Sequence, residues 1–156
     1  MPNNHLDSRT RPRALLADGA YLVGGSALLA STFLHWVSRG PGSAARGHKL
    51  VDEIVALGKH LPALSAGRLT VVWYLVPALG AIGWIVVGLY GAHSRAARVV
   101  AISAVVMATL AFIAFEQLVG LDRLGWGPWI ALFGAVLMGA ASWLPLSMRQ
   151  NDAAGL

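Results

Sequence analysis

Four apolar runs, each about 20 residues long, constrain this chain more than any other feature. They cover residues 20–36, 69–92, 99–120 and 126–146. A helix of that length crosses a hydrocarbon layer of roughly 30 Å. Lipid offers no hydrogen-bond partner to a backbone amide, so such runs must satisfy themselves as helices. A soluble helix of the same length normally carries a polar face, and these runs have almost none. Charged residues make up 12% of the 156 positions, against about 25% in an ordinary soluble domain. The expected fold is an all-α integral membrane protein, a four-helix transmembrane bundle. Residues 17–146 form its membrane domain, between a basic tail at 1–16 and a short tail at 147–156.

The first run invites comparison with a secretory signal. RTRPRALL supplies a basic flank, and Ser43, Ala44 and Ala45 supply small residues after it. The apolar part is longer than a usual signal core and ends in His35 and Trp36, so it reads as a retained span.

Charge then bears on orientation. With the amino terminus inside, the cytoplasmic bases are Arg9, Arg11, Arg13, Arg95, Arg98 and Arg149. The opposite side holds Arg39, Arg46, Lys49, Lys59, Arg68 and Arg123. The numbers tie, but the density does not. Three arginines crowd the flank of the first span and two occupy the tight second connection, whereas most of the others scatter over a long loop at 37–68. Short flanks and the first helix usually dominate insertion, which places both termini in the cytoplasm of a multi-pass cell-membrane protein. Tryptophan and tyrosine favour membrane interfaces. On that rule Trp36, Trp73, Tyr74, Trp126 and Trp129 mark one boundary, and Tyr21, Tyr90 and Trp143 the other.

Association of helices in lipid depends on close packing of small side chains. In the third run Ala97, Ala101, Ala104, Ala108 and Ala111 recur at spacings of four, three, four and three, a single helix face. In the fourth, Gly127, Ala131, Gly134 and Ala141 lie along a related face, with Ala135 and Gly139 as a second pair. These faces are expected to close the bundle or to dock a partner subunit. Pro77 interrupts the second run, where a proline frees a carbonyl one turn back and bends the helix. Trp84 lies deeper in that run and is expected to pack against a neighbouring helix.

An ionisable group near a span is a functional hypothesis by default. Glu116 stands close to the end of the third run, in AFIAFEQLVGLDRLGW. His35, Arg68 and Arg123 fall at the same end, so the four can form a polar layer. One reading makes it a structural cap, with Glu116 paired to Arg68, Arg123 or His35. The other makes it a ligand or lipid-headgroup site. No chain of ionisable groups crosses the bilayer to serve as a proton relay. The five histidines lack the i, i+4 arrangement with Glu of a zinc hydrolase. There is no Cys for thiolate chemistry, and no glycine-rich turn ending in Lys-Ser or Lys-Thr for a nucleotide phosphate. No catalytic, metal or cofactor residue is therefore assigned. The net charge of +5 is spread over short connections rather than gathered in a stripe, so nucleic acid is not an expected partner.

The loop after the first span, HWVSRGPGSAARGHKLVDEI, begins as a Gly/Ser turn and continues as HKLVDEIVALGKHL. Leu50, Val51, Ile54, Leu57 and Leu61 fall at helical spacing, with Lys49, Asp52, Glu53 and Lys59 mainly off that stripe. A short amphipathic helix is expected, weakened by Gly58 and stopped by Pro62. Its apolar side can lie on the membrane, cover the bundle, or dock a partner.

Here the chain resembles small actinobacterial integral membrane proteins. The features that carry the resemblance are Trp36 at the outer end of the first span, the Gly/Ser turn, the G-x-x-L formed by Gly47 and Leu50, and the helix from His48. That pattern has a proline before the tryptophan, where His35 stands here. The resemblance implies the four-span topology and no defined activity. The expected function is a non-catalytic accessory or assembly subunit in the lipid bilayer. It would bind another membrane or envelope protein, or a second copy of itself, through its small-residue faces and first loop. The alternative is a small transporter or lipid-binding component that uses the layer around Glu116.

Overall fold

The computed structural model describes residues 10–39, 49 and 66–143. Its described helices are α1 (Thr10–Ser31), α2 (Ala66–Tyr90), α3 (Arg95–Val119) and α4 (Trp126–Trp143), with one 3-10 turn at Leu121–Arg123. They pack in a ring: α1 lies against α2 and α4, and α3 lies against the same two. The protein is all-α and multi-span. Helices α2, α3 and α4 are long and apolar enough to cross a membrane, and α1 adds a shorter apolar stretch at Leu15–Ser31. The expected helix around Leu50, Val51, Ile54, Leu57 and Leu61 lies outside the described residues.

Along α3 and α4, alanine and glycine line most of the inward face, and most large apolar side chains point outward. Ala97, Ala101, Ala104, Ala108 and Ala111 are each at most 2% exposed, while Val99, Ile102, Val106, Leu110 and Ile113 on the same helix are exposed. On α4, Gly127, Ala131, Gly134, Ala135 and Ala141 are buried, while Phe133 and Val136 are exposed. A soluble core would reverse this order, because water drives the largest apolar side chains inward. Lipid supplies no such drive, and the helices gain instead from close backbone approach.

Two adjacent glycines show how close that approach is. A Cβ on Gly24 would lie 2.6 Å from the Gly134 carbonyl oxygen of α4. One on Gly80 of α2 would lie 2.7 Å from the Gly25 carbonyl oxygen. The Gly24-Gly25 pair thus lets α1 touch both of its neighbours at one level. Pro77 sits inside a continuous α2, next to the buried Val76.

The first run differs from the sequence expectation in one respect. The helix does not continue to Trp36; it ends at Ser31. Thr32, Phe33 and Leu34 donate backbone N–H groups three residues back, tightening the last turn. The Ser31 and Thr32 hydroxyls donate to the Leu28 and Leu29 carbonyl oxygens at 2.7 Å each, and Trp36 Nε1 donates to the Ser31 carbonyl at 2.7 Å. The carbonyls orphaned at a helix end thereby find partners without water. Helix α2 ends at Tyr90 because Gly91 takes φ +76°, and Ser94 starts α3 by accepting the Ala97 N–H.

Candidate functional site

The four residues expected to form a polar layer lie at one end, where α1 finishes, α2 begins and the chain passes from α3 to α4. Segment 35–38 is laced to that passage by backbone bonds. Ser38 N–H donates to Arg123 O at 2.7 Å, Gly125 N–H to Trp36 O at 2.9 Å, and Gly127 N–H to His35 O at 3.0 Å. Val37 and Leu124 form an antiparallel bridge and are both buried. His35 therefore contributes its carbonyl, which takes an orphan N–H in the first turn of α4. Its side chain is exposed. Arg123 faces solvent, 3.9 Å from the Asp122 carboxylate, and at 56% and 83% side-chain exposure that pair is weak. Glu116 is half-buried, and among the described residues no ion pair joins it to His35 or Arg123. The side chain of Arg68 lies outside the described residues.

The residue that organises this end is Trp36. Its ring is 1% exposed and meets Trp73 of α2 edge-on at 4.2 Å between centroids. Phe115 of α3 lies 4.8 Å away, and Gly127 of α4 has no Cβ precisely where the Trp36 ring passes. Side chains from α2 and α3 and backbone from α4 thus close around one indole. Trp36 and Trp73 are not the interfacial anchors expected from the sequence; both are core residues. Burial is tolerated because the Trp36 N–H has the Ser31 carbonyl as partner. Tyr74, Trp126 and Trp129 remain exposed.

At the opposite end the correction repeats. Tyr21 is fully buried, and its hydroxyl donates to the Ala97 carbonyl of α3 at 2.9 Å. It crosses one diagonal of the ring. Met138 crosses the other, from α4 to α2, where its Cε would lie 2.7 Å from a Cβ on Gly83. One turn below Tyr21, Asp18 accepts the Ala92 N–H at 2.7 Å and ties α1 to the α2–α3 turn. Sequence reasoning passed over Asp18. The signal available was a lone carboxylate in an apolar run, which needs a donor. Tyr90 and Trp143 are exposed as an interfacial ring should be, and the Arg98 guanidinium stands 5.8 Å from the Trp143 ring centroid. Trp84 does pack on a neighbour: its Nε1 donates to the Leu22 carbonyl at 3.1 Å.

Among the described residues no buried side-chain nitrogen or oxygen lacks a hydrogen-bond partner, and no group of three acidic or histidine side chains is arranged to hold a metal. No protein-family model, curated protein or solved structure matches the chain. The resemblance to small actinobacterial membrane proteins thus rests on the arrangement of the spans and one matched loop in the sequence. Its coarser content, an all-helical chain with several membrane-length apolar helices, is what the structure carries.

Proposed function

We propose that the chain is a four-span, non-catalytic accessory or assembly subunit of a membrane complex, with both termini in the cytoplasm. The 22 residues of α1 make it about 33 Å long, enough for the fourth span once its first turn reaches the headgroups. One observation carries the accessory reading. The interior is filled at two levels, by Tyr21 and Met138 across the two diagonals and by Trp36 among Trp73, Phe115 and Gly127. A transporter needs a path between those levels, and a filled axis disfavours one.

The small-residue faces of α3 and α4 are spent on internal packing. For a partner, α2 offers one face of accessible small positions, where Ala78, Ala81 and Gly88 are exposed around Ile85. The apolar stripe of the first loop, from Leu50 to Leu61, supplies the second contact in this reading. The test is quantitative mass spectrometry of the full chain purified from native membranes in mild detergent. A stoichiometric partner set, depleted by Ile54→Asp or Ala81→Leu, is the expected result. Recovery as a lone monomer that moves a solute in vesicles would sink the reading in favour of the Glu116 layer.

A further inference from the structure

The end of the molecule away from the first loop is built differently from the polar layer just described. Arg95 and Arg98 stand one turn apart on the first turns of α3, and both are exposed. Helix α1 starts at Thr10, so Arg11 and Arg13 lie in its first turn. Asp18 and Tyr21 tie α1 to the start of α3, which puts these arginines at the same end. At about 1.5 Å per residue, Arg11 and Arg13 lie roughly 8–10 Å beyond the Asp18 level, farther from the membrane centre. The acid described at this end is Asp18, and its carboxylate is engaged with the Ala92 N–H. Arg95 and Arg98 therefore have no carboxylate partner among the described residues here.

Around them the surface has the chemistry of a headgroup layer. Tyr90 and Trp143 are 68% and 63% exposed, at the last residues of α2 and α4. Arg98 rests over the Trp143 ring. At 5.8 Å from the indole centroid the exposed Arg98 guanidinium is within cation–π range, and its N–H donors stay available to an oxyanion. Immediately toward the membrane centre the lateral surface becomes Leu89, Val99 and Ile102, all exposed and apolar. An occupant of this place must offer an anionic head level with Arg95 and Arg98, and hydrocarbon alongside Val99 and Ile102.

We propose that Arg95, Arg98 and Trp143 form a binding site for the phosphate headgroup of an anionic phospholipid, its acyl chains lying along the outer face of α3. The charge complementarity is local: the site takes a net-negative lipid in preference to a zwitterionic one of the same chains. It is separate from the Glu116 layer and independent of whether the chain has a protein partner.

The experiment is native mass spectrometry of the full chain in mild detergent, offered an equimolar mixture of phosphatidylglycerol and phosphatidylcholine with identical acyl chains. The expected result is preferential retention of phosphatidylglycerol. Arg95→Gln or Arg98→Gln should each lower that preference roughly fivefold, and the double change should bring it close to parity. Arg39→Gln, at the opposite end, should leave it unchanged. Both arginines are exposed, so circular dichroism of the variants should match the parent. Equal retention of the two lipids by the parent chain would overturn the proposal. So would an effect of Arg39→Gln as large as that of Arg98→Gln, which would mark a net-charge effect. Inorganic phosphate that displaces the lipid where chloride of equal ionic strength does not would assign the site to a soluble phosphate instead.

Discussion

Gly134 shows how far a single residue decides this packing. An added methyl there would lie 2.6 Å from the Gly24 carbonyl oxygen and 2.9 Å from Ala27 Cβ. The nearer atom is backbone, so it cannot swing aside. Gly134→Ala should lower stability by about 1–3 kcal/mol through overpacking, read as earlier unfolding when a denaturing detergent is titrated into mild micelles. Gly88 is the internal control. Nothing lies within 4 Å of a Cβ built on it. Gly88→Ala in the same titration should be neutral or stabilising by up to about 1 kcal/mol, from helix propensity. Tyr21→Phe keeps the ring and removes the hydroxyl that reaches the Ala97 carbonyl. A loss of about 1 kcal/mol is expected. An unchanged midpoint would mean that the carbonyl finds another donor.

Elements are held at their ends by groups from elsewhere in the chain. Helix α4 begins against the His35 carbonyl, and the α2–α3 turn hangs on Asp18. Trp36 is the larger of these restraints, because segment 35–38 and the α3–α4 passage meet over its ring. Trp36→Ala should cost on the order of 3 kcal/mol. Amide exchange should rise most at Ser38, Gly125 and Gly127, whose N–H bonds cross that junction, while mid-α3 stays protected. Exchange raised evenly along the chain would mean that Trp36 supports the whole core rather than this junction. The alanine stripe of α3 was legible in the sequence, because a spacing of four and three defines one face of any helix. The Gly24-Gly25 pair meets two helices at once. That each glycine serves a different neighbour depends on α1 lying between α2 and α4.

For the whole molecule, the side of the membrane is the property to measure. Ser38 and Ala96 are exposed at opposite ends, and the chain has no cysteine. Single Ser38→Cys and Ala96→Cys variants should therefore label from opposite faces of intact cells. With both termini cytoplasmic, Ser38→Cys reacts with an impermeant reagent and Ala96→Cys does so only after lysis. The reverse pattern would invert the orientation and move the arginine site to the outer leaflet. Replacing Glu116 with Gln is expected to disturb assembly of a complex more than any turnover. Intact assembly with a selective loss of transport would favour the alternative function.

The sequence by itself determined the membrane setting, the places of α2, α3 and α4, and the small-residue faces along which α3 and α4 pack. Those properties follow from run length, from the cost of unpaired amides in lipid and from helical period, all of which are local. Only the tertiary structure decided which aromatic residues are core. Trp36, Trp73 and Tyr21 have the same composition cue as Trp126, Trp143 and Tyr90. Burial of Trp36 and Tyr21 required particular carbonyls, those of Ser31 and Ala97, within reach of an indole N–H and a phenol hydroxyl. The Ala97 carbonyl lies 76 residues along the chain from Tyr21, so the folded arrangement of helices had to bring it there.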